Sequence, residues 1–281
     1  MNYRHGFHAG NFADILKHVI LMRMLAHLAL KPAPFRVLDT HAGSGLYDLK
    51  SEEAERTGEW RNGIGRMGAT FSAEAEMVLA PWRAALRAIS PEGRFYPGSP
   101  LFIREGLREQ DRAVFNEAHP KAEAALKKLL APYRDPRLAV TALDGYTMWK
   151  AQIPPKERRG MVLVDPPFEV RDEFSQLATG IAMMGRKWPG GSLAIWYPVK
   201  DQAGLRFFEE KAVESGFADI LSVELHVDRP LAEGPLVGTG LLIANPPFTL
   251  ARDMEALLPE LAARLALSDR ARYRIDWLTK S

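Results

Sequence analysis

The stretch Gly160-Met-Val-Leu-Val-Asp-Pro-Pro-Phe168 runs from an apolar segment straight into an acid and two prolines. Such a run, without polar alternation, suits a strand buried on both faces of a parallel sheet. The prolines end it, because neither has an amide for the ladder and each holds φ at about −65°. Outward from this strand, helical periodicity marks 144–151 and 172–187, and further strands are read at Leu138–Ala142 and Ser192–Tyr197. The alternation continues in both directions. Upstream lie strand Phe35–Thr40, helix 99–108, strand Ala113–Asn116 and helix 121–131; downstream lie helix 201–215, a hairpin of Ile220–Val227 with Gly240–Ala244, and helix 250–267. Strands alternating with helices predict βαβ units, hence an α/β fold with a mostly parallel sheet.

Residues 12–30 read as an amphipathic helix, with Ile15, Val19, Met22, Leu25 and Leu28 on one stripe, Asn11 as N-cap and Lys31-Pro-Ala-Pro34 as the stop. Residues 46–92 differ in character. They are rich in Glu, Arg, Ala and Gly, are helical around Ala73–Ile89 and hold no strong strand. They are expected to form a small helical insertion subdomain, with residues 1–45 and 93–281 making up the main domain.

The chain has 281 residues, 47% apolar and 26% charged, which excludes a disordered or fibrous protein. It has no cysteine, so thiol nucleophiles, disulfides and zinc–thiolate sites are excluded. Its first residues carry no apolar core of a signal peptide, and no stretch approaches the roughly 18 apolar residues of a membrane span. A cytoplasmic monomer that does not engage membranes is expected. Net charge is only +2, yet residues 1–36 hold Arg4, Lys17, Arg23, Lys31 and Arg36 against the single acid Asp14, and four of the seven histidines. A second basic patch is Lys156, Arg158 and Arg159. Such patches suit phosphates and also occur on solvated faces.

In an open parallel sheet ligands bind beyond the carboxyl ends of the strands. Those positions are Asp39 to Gly45, Glu117, Asp144-Gly145 and Asp165 to Phe168. The turn Asp39-Thr-His-Ala-Gly-Ser-Gly45 lacks the third glycine of a dinucleotide fingerprint and the lysine of a phosphate loop. It suits S-adenosylmethionine, which has no pyrophosphate to cradle; a plain tight turn satisfies the same residues. Glu117 is placed to accept from ribose hydroxyls, or is a solvent-facing loop acid. Asp144-Gly145 is placed to accept from an adenine amine, and Asp144 equally suits a helix N-cap.

Asp165-Pro-Pro-Phe168 has the form [Asp/Asn/Ser]-Pro-Pro-aromatic, that of methyltransferases acting on exocyclic or amide nitrogen. The amine of adenine is a poor nucleophile, its lone pair being delocalised into the ring. A carboxylate and a rigidly aimed carbonyl that accept its hydrogens favour the pyramidal nitrogen that attacks a methyl group. The aromatic ring stacks on the base. A second copy, Asn245-Pro-Pro-Phe248, follows the last arm of the hairpin, whose antiparallel direction is expected to point it away from the cofactor. Asp165 is therefore the catalytic candidate. Metal binding by His5, His8, Asp14 and His18 is disfavoured, because no ligand set has fixed spacing. Lys17 or His18 is instead expected to face a carboxylate at the site, and Tyr3 and Arg4 to meet nucleic acid.

Several motifs together resemble the RlmJ family of 23S ribosomal RNA adenine-N6 methyltransferases. They are Tyr3-Arg-His-Gly-Phe-His-Ala-Gly-Asn-Phe-Ala-Asp-Ile-Leu-Lys-His18, Leu38-Asp-Thr-His-Ala-Gly43, Ser51-Glu-Glu-Ala-Glu-Arg-Thr-Gly-Glu59, Tyr96-Pro-Gly-Ser-Pro100, Leu107-Arg-Glu-Gln-Asp111, Asp165-Pro-Pro167, Trp196-Tyr-Pro198 and Asn245-Pro-Pro247. The resemblance implies a Rossmann-like class I fold with a small helical insertion, and methyl transfer from S-adenosyl-L-methionine to one adenine of 23S RNA, adenine 2030. It implies that His18, His41, Ser99, Glu117, Asp144, Gly145 and Asp165 line the cofactor, with Lys17 close by, that Asp165 is the catalytic acceptor, and that Tyr3 meets the RNA; Phe168 is assigned to the RNA base by the motif itself. No metal is implied. The family leads one to expect Tyr where Phe168 stands and Ala where Ser44 stands; stacking survives the first change, and any role of a hydroxyl does not. The same fold and cofactor acting on DNA adenine or protein glutamine, and a non-enzymatic RNA-binding module, are the alternatives.

Overall fold

The computed structural model describes residues 4–230 and 234–281; Tyr3 lies outside the described residues. In chain order the elements are α1 (Phe12–Ala29), β1 (Arg36–Asp39), β2 (Leu46–Asp48), α2 (Glu52–Thr57), α3 (Glu59–Asn62), α4 (Ala73–Ile89), β3 (Phe95–Pro97), α5 (Ser99–Gly106), β4 (Arg112–Asn116), α6 (Pro120–Leu130) and β5 (Leu138–Thr141). There follow α7 (Gly145–Gln152), β6 (Gly160–Val164), α8 (Glu173–Lys187), β7 (Ser192–Pro198), α9 (Gln202–Val213), β8 (Ile220–His226), β9 (Gly238–Ala244), α10 (Leu250–Leu265) and β10 (Arg272–Thr279).

Eight strands form one sheet in the order β5-β4-β1-β6-β7-β9-β8-β10. The first five are parallel, β9 is antiparallel to both β7 and β8, and β10 is antiparallel to β8. This is a Rossmann-like class I arrangement with one added edge strand. Side chains alternate across the sheet, as a period of two demands. Val37, Met161 and Leu163 enter the core under α1, α4, α5, α6 and α10, while Leu38, Val162 and Val164 enter the core under α7, α8 and α9. Strand β1 lies between β4 and β6, so the chain order reverses there and opens a crevice at the carboxyl ends of these strands.

Three sequence expectations change. Helix α1 is not amphipathic in its surroundings: fourteen of its eighteen residues are buried, including Asp14, Lys17 and His18. A helix covered on nearly all sides belongs to the core, and here α4, α5 and α10 pack around it. Residues 46–92 are largely helical as expected, but β2 pairs antiparallel with β3 at the margins of this segment. Val78, Leu79 and Trp82 of α4 join the same buried cluster as α1 and α10. Finally, β10 was not anticipated. It covers the free edge of β8 as a half-exposed strand.

The two Pro-Pro motifs part company at this level. Ala244 registers with Leu193, near the start of β7, so Asn245 lies at the end of the sheet opposite the carboxyl ends of the parallel strands. Its Nδ2 donates to the carbonyls of Pro189 (2.7 Å) and Gly191 (2.9 Å), tying two loops together.

Candidate active site

The carboxyl ends of β1, β4, β6 and β7, the start of α1 and the segment before it enclose a cavity of about 1280 Å3. A pocket for one small molecule commonly spans about 300–1,000 Å3, so this cleft has room for two ligands side by side. Its wall includes Lys17, His18, His41, Ser99, Glu117, Asp165 and Phe168.

The β1 end supplies the turn. Gly43 and Gly45 both have positive φ (63° and 81°), the left-handed region that favours glycine. A Cβ on Gly43 would lie 2.3 Å from the Tyr47 hydroxyl, so a side chain there cannot fit without displacement. Gly43 N donates to Glu117 Oε2 (2.8 Å) and His119 N to Glu117 Oε1 (2.7 Å). Glu117 is thus a buried, backbone-fixed carboxylate and not a loose loop acid. Asp39 is fully buried. Its Oδ2 accepts from Ser99 Oγ at 2.7 Å, which also orients Ser99 at the cavity wall.

Burial raises the Asp39 carboxyl to about 7; the Ser99 bond opposes this and nearby Asp165 adds to it. The sign follows directly. A folded-state value above the unfolded one favours folding while the carboxyl is protonated. That contribution is complete below the ordinary pKa of 3.8 and is lost as pH rises to about 7. Replacing Asp39 by Asn is therefore expected to become progressively less destabilising, relative to wild type, between pH 4 and 7. The slope approaches about 1.4 kcal/mol per pH unit. Urea melts at several pH values check this, and a pH-independent difference would contradict it.

Burial lowers His41 to about 4 despite Asp165 and Asp144, so its ring is neutral at neutral pH. Gly145 sits against that ring: a Cβ there would lie 2.5 Å from His41 Nε2. Asp144 is exposed, and its Oδ1 accepts from Thr147 N at 2.8 Å as the N-cap of α7. Neither Asp144 nor Gly145 is part of the cavity wall described above. For these two the capping and packing roles are the ones visible.

The amino end of α1 carries a line of charge. Asn11 Oδ1 accepts from Ala13 N (3.0 Å) and Asp14 N (3.1 Å), which caps the helix as expected. Asp14, buried, accepts from His5 Nε2 and from Gly10 N, each at 2.9 Å. Lys17 Nζ bridges Asp14 Oδ1 (2.8 Å) and Asp165 Oδ2 (2.6 Å). Burial works against the Lys17 charge, but the two carboxylates outweigh it and hold its pKa well above the ordinary value. Lys17 is thus a fixed cation against Asp165. His18 is buried between Tyr96 and Phe102, with Nδ1 at 2.9 Å from the Tyr96 hydroxyl. Burial, and next to it Lys17, keeps its pKa well below the usual value, so the ring is neutral. His18 Nε2 has no hydrogen-bond partner although it is buried.

Phe168 closes the Asp-Pro-Pro-Phe corner with φ 51°, a conformation that costs a non-glycine residue roughly 1–2 kcal/mol. Its ring stands edge-on to Phe174 (5.1 Å) and Trp196 (5.7 Å) and is half-buried. Sequence reasoning did not single out Asp14 as a partner of Lys17, nor Tyr47, Trp196 and Glu59, all of which line the cavity. The i, i+3 spacing of Asp14 and Lys17 was the one local signal available.

Strand order, the glycine turn at β1 and an acid-Pro-Pro corner at β6 together define a class I methyltransferase. The family model described as ribosomal RNA large subunit methyltransferase D, RlmJ, matches residues 32–279. The chain is 36% identical over 282 residues to ribosomal RNA large subunit methyltransferase J of Haemophilus influenzae, covering 99% of each chain. It is 36% identical over 280 residues to the protein of the same name from Escherichia coli, again covering 99% of each. A crystal structure of a Legionella pneumophila protein superposes with a TM-score of 0.85 at 32% identity, covering 96% of this chain and 98% of that one. The chain belongs to the RlmJ family of ribosomal RNA large subunit methyltransferases.

Proposed function

We propose that this protein transfers a methyl group from S-adenosyl-L-methionine to the exocyclic nitrogen of an adenine in 23S ribosomal RNA, with adenine 2030 as the base the family resemblance implies. One observation carries the reading. The Asp165 carboxylate stands on a double-proline corner at the wall of a two-ligand cleft, with one oxygen held by Lys17.

The cleft's residues fit the cofactor. Buried His18 Nε2 is an orphaned polar atom at the wall, the glycine turn admits close backbone approach, and the fixed Glu117 carboxylate still has lone pairs to offer hydroxyl groups. His18, His41, Ser99 and Glu117 would hold it, with Lys17 and Asp165 beside them. Asp144 and Gly145, next to His41 at the start of α7, would complete the cofactor-binding set. When bound, S-adenosyl-L-methionine supplies an electrophilic methyl group.

Asp165 Oδ2 is committed to Lys17, which leaves Oδ1 to accept a hydrogen of the adenine amine. That bond orients the amine and favours a pyramidal nitrogen. Phe168, braced by Phe174 and Trp196, offers the ring on which the base stacks. Tyr3 is assigned to the RNA as well. The base must leave its stack to reach Asp165, at a cost of a few kcal/mol, so a flexible or single-stranded site is preferred over intact duplex. No metal enters this account. Among the described residues no group of three or more metal-ligating side chains is assembled, and no helix is long and apolar enough to cross a membrane. A cytoplasmic monomer that engages no membrane completes the proposal.

Incubation with methyl-labelled cofactor and equimolar 23S RNA, duplex DNA and a protein mixture tests the substrate class. Label confined to RNA is expected; label in DNA or protein would transfer the reading to those substrates, and binding of RNA without transfer would make it a binding module. Replacing His18 by Phe keeps the packing between Tyr96 and Phe102 and removes both ring nitrogens. Calorimetric titration is expected to show S-adenosyl-L-methionine binding weakened about tenfold, the scale of one buried hydrogen bond. Unchanged affinity would remove His18 from the cofactor site.

A further inference from the structure

Segment 51–59, one of the stretches that carry the family resemblance, holds α2 and the first residue of α3 and takes no part in the chemistry above. We infer that Glu59 is a positioning residue for methyl transfer: it clamps Asn11 and His8, and so sets the first turn of α1 that presents Lys17 to Asp165. The inference rests on the function proposed above and adds a part to it.

The clamp is made of opposed hydrogen bonds. Glu59 Oε1 lies 2.9 Å from His8 Nδ1, and Glu59 Oε2 accepts from Asn11 Nδ2 at 2.9 Å. The Asn11 amide is thereby polarised in one sense only. Its nitrogen faces the Glu59 carboxylate and its oxygen faces the amides of Ala13 and Asp14. Turning the amide over would set oxygen against carboxylate and N–H against N–H. One turn on, Asp14 and Lys17 lead to Asp165.

The surroundings agree. Residues 52–64 hold the amino-terminal segment along its length. Arg4 pairs with Glu53, the Thr57 hydroxyl donates to the Phe7 carbonyl, and Ile64 N donates to the Gly10 carbonyl at 2.8 Å. A Cβ on Gly63 would lie 2.1 Å from the Gly10 oxygen, so the end of α3 rests directly on this backbone. Arg4, His5, Gly6, His8 and Asn11 line the cleft, as do Glu53 and Glu59. The insertion is thus the bracket for the segment that walls the active site. Within it Glu59 makes the two bonds nearest the start of α1, to His8 and Asn11.

A polarity swap tests this. Glu59→Gln leaves one acceptor oxygen where two are used, so His8 and Asn11 can no longer both donate to it, and Asn11→Asp places a second carboxylate against Glu59. Each variant alone is expected to lower kcat for RNA methylation roughly ten- to a hundredfold, the scale of a small misplacement of reacting groups. The KM for S-adenosyl-L-methionine is expected to stay within about threefold. The double variant restores a donor–acceptor pair in the opposite sense, and aspartate is a good N-cap. Its kcat is expected to return to within about threefold of wild type. Wild-type kcat in both single variants would overturn the inference, as would single variants that lose activity without recovery in the double variant. A wild-type protein that transfers no methyl group to RNA would instead overturn the underlying function.

Discussion

Asp165→Ala is expected to reduce methyl transfer at least about a thousandfold while the protein stays folded. The expected loss combines the acceptor that orients the amine and a preorganised charge beside it, each of which is worth about two orders of magnitude or more in other active sites. The fold is expected to survive because Lys17 keeps Asp14 at 2.8 Å as a counter-ion, and because Asp165 lies on a cavity wall, not in an apolar core. Asp165→Asn retains one acceptor oxygen and matches the Asn-Pro-Pro form of the motif, so an intermediate loss is expected. Initial rates with labelled cofactor, beside circular dichroism of each variant, check both. An alanine variant with near-normal turnover would leave the corner without a catalytic role.

Lys17→Met is expected to be the most damaging change for stability, and to lower activity as well. Its ammonium is the shared counter-charge of Asp14 and Asp165, with side-chain exposures of 5% for Lys17 and 2% for Asp14. Removing one partner of a buried ion cluster leaves uncompensated charge and costs about 3–5 kcal/mol. Asp14 retains His5 and the Gly10 amide, so the lower end is expected. The deficit should depend on pH. Burial opposes the Asp14 charge, but His5 and Lys17 outweigh it and hold its pKa well below 3.8. In wild type that contribution is present above 3.8 and fades only as pH falls through the depressed folded value. Without Lys17 the carboxyl protonates at higher pH, which relieves the variant. The difference in unfolding free energy should therefore shrink from pH 7 to pH 4. Urea denaturation at both values checks this, and a constant difference would contradict the shared-charge assignment.

Much of the layout was legible in the chain. The apolar run 160–164, ending at a Pro-Pro corner, and the glycine turn after Asp39 are local signals, because buried parallel strands and left-handed turns restrict residue type at those positions. The antiparallel last arm, which takes Asn245 away from the cleft, followed from hairpin geometry. Other features depend on distant partners. Strand β10 has only partial alternation, and its sheet position comes from the free edge of β8. The burial of α1 on nearly every side is set by α4, α5 and α10, which no periodicity within α1 records. That Lys17 or His18 would face a carboxylate was expected, and Lys17 does, but its partner Asp165 is 148 residues away, and Glu59 is 48 from Asn11. Such pairings leave no trace in local spacing. Asp144 was readable as an N-cap and is one, through Oδ1; a cap of this kind is a local feature of the chain.

The most direct measurement is nucleoside analysis of unmodified 23S RNA after incubation with the purified protein and isotopically labelled S-adenosyl-L-methionine. N6-methyladenosine carrying the label, absent when Asp165 is replaced by alanine, is the result that the carboxylate-corner mechanism predicts. Label on any other nucleoside, or equal N6-methyladenosine from both proteins, would contradict it.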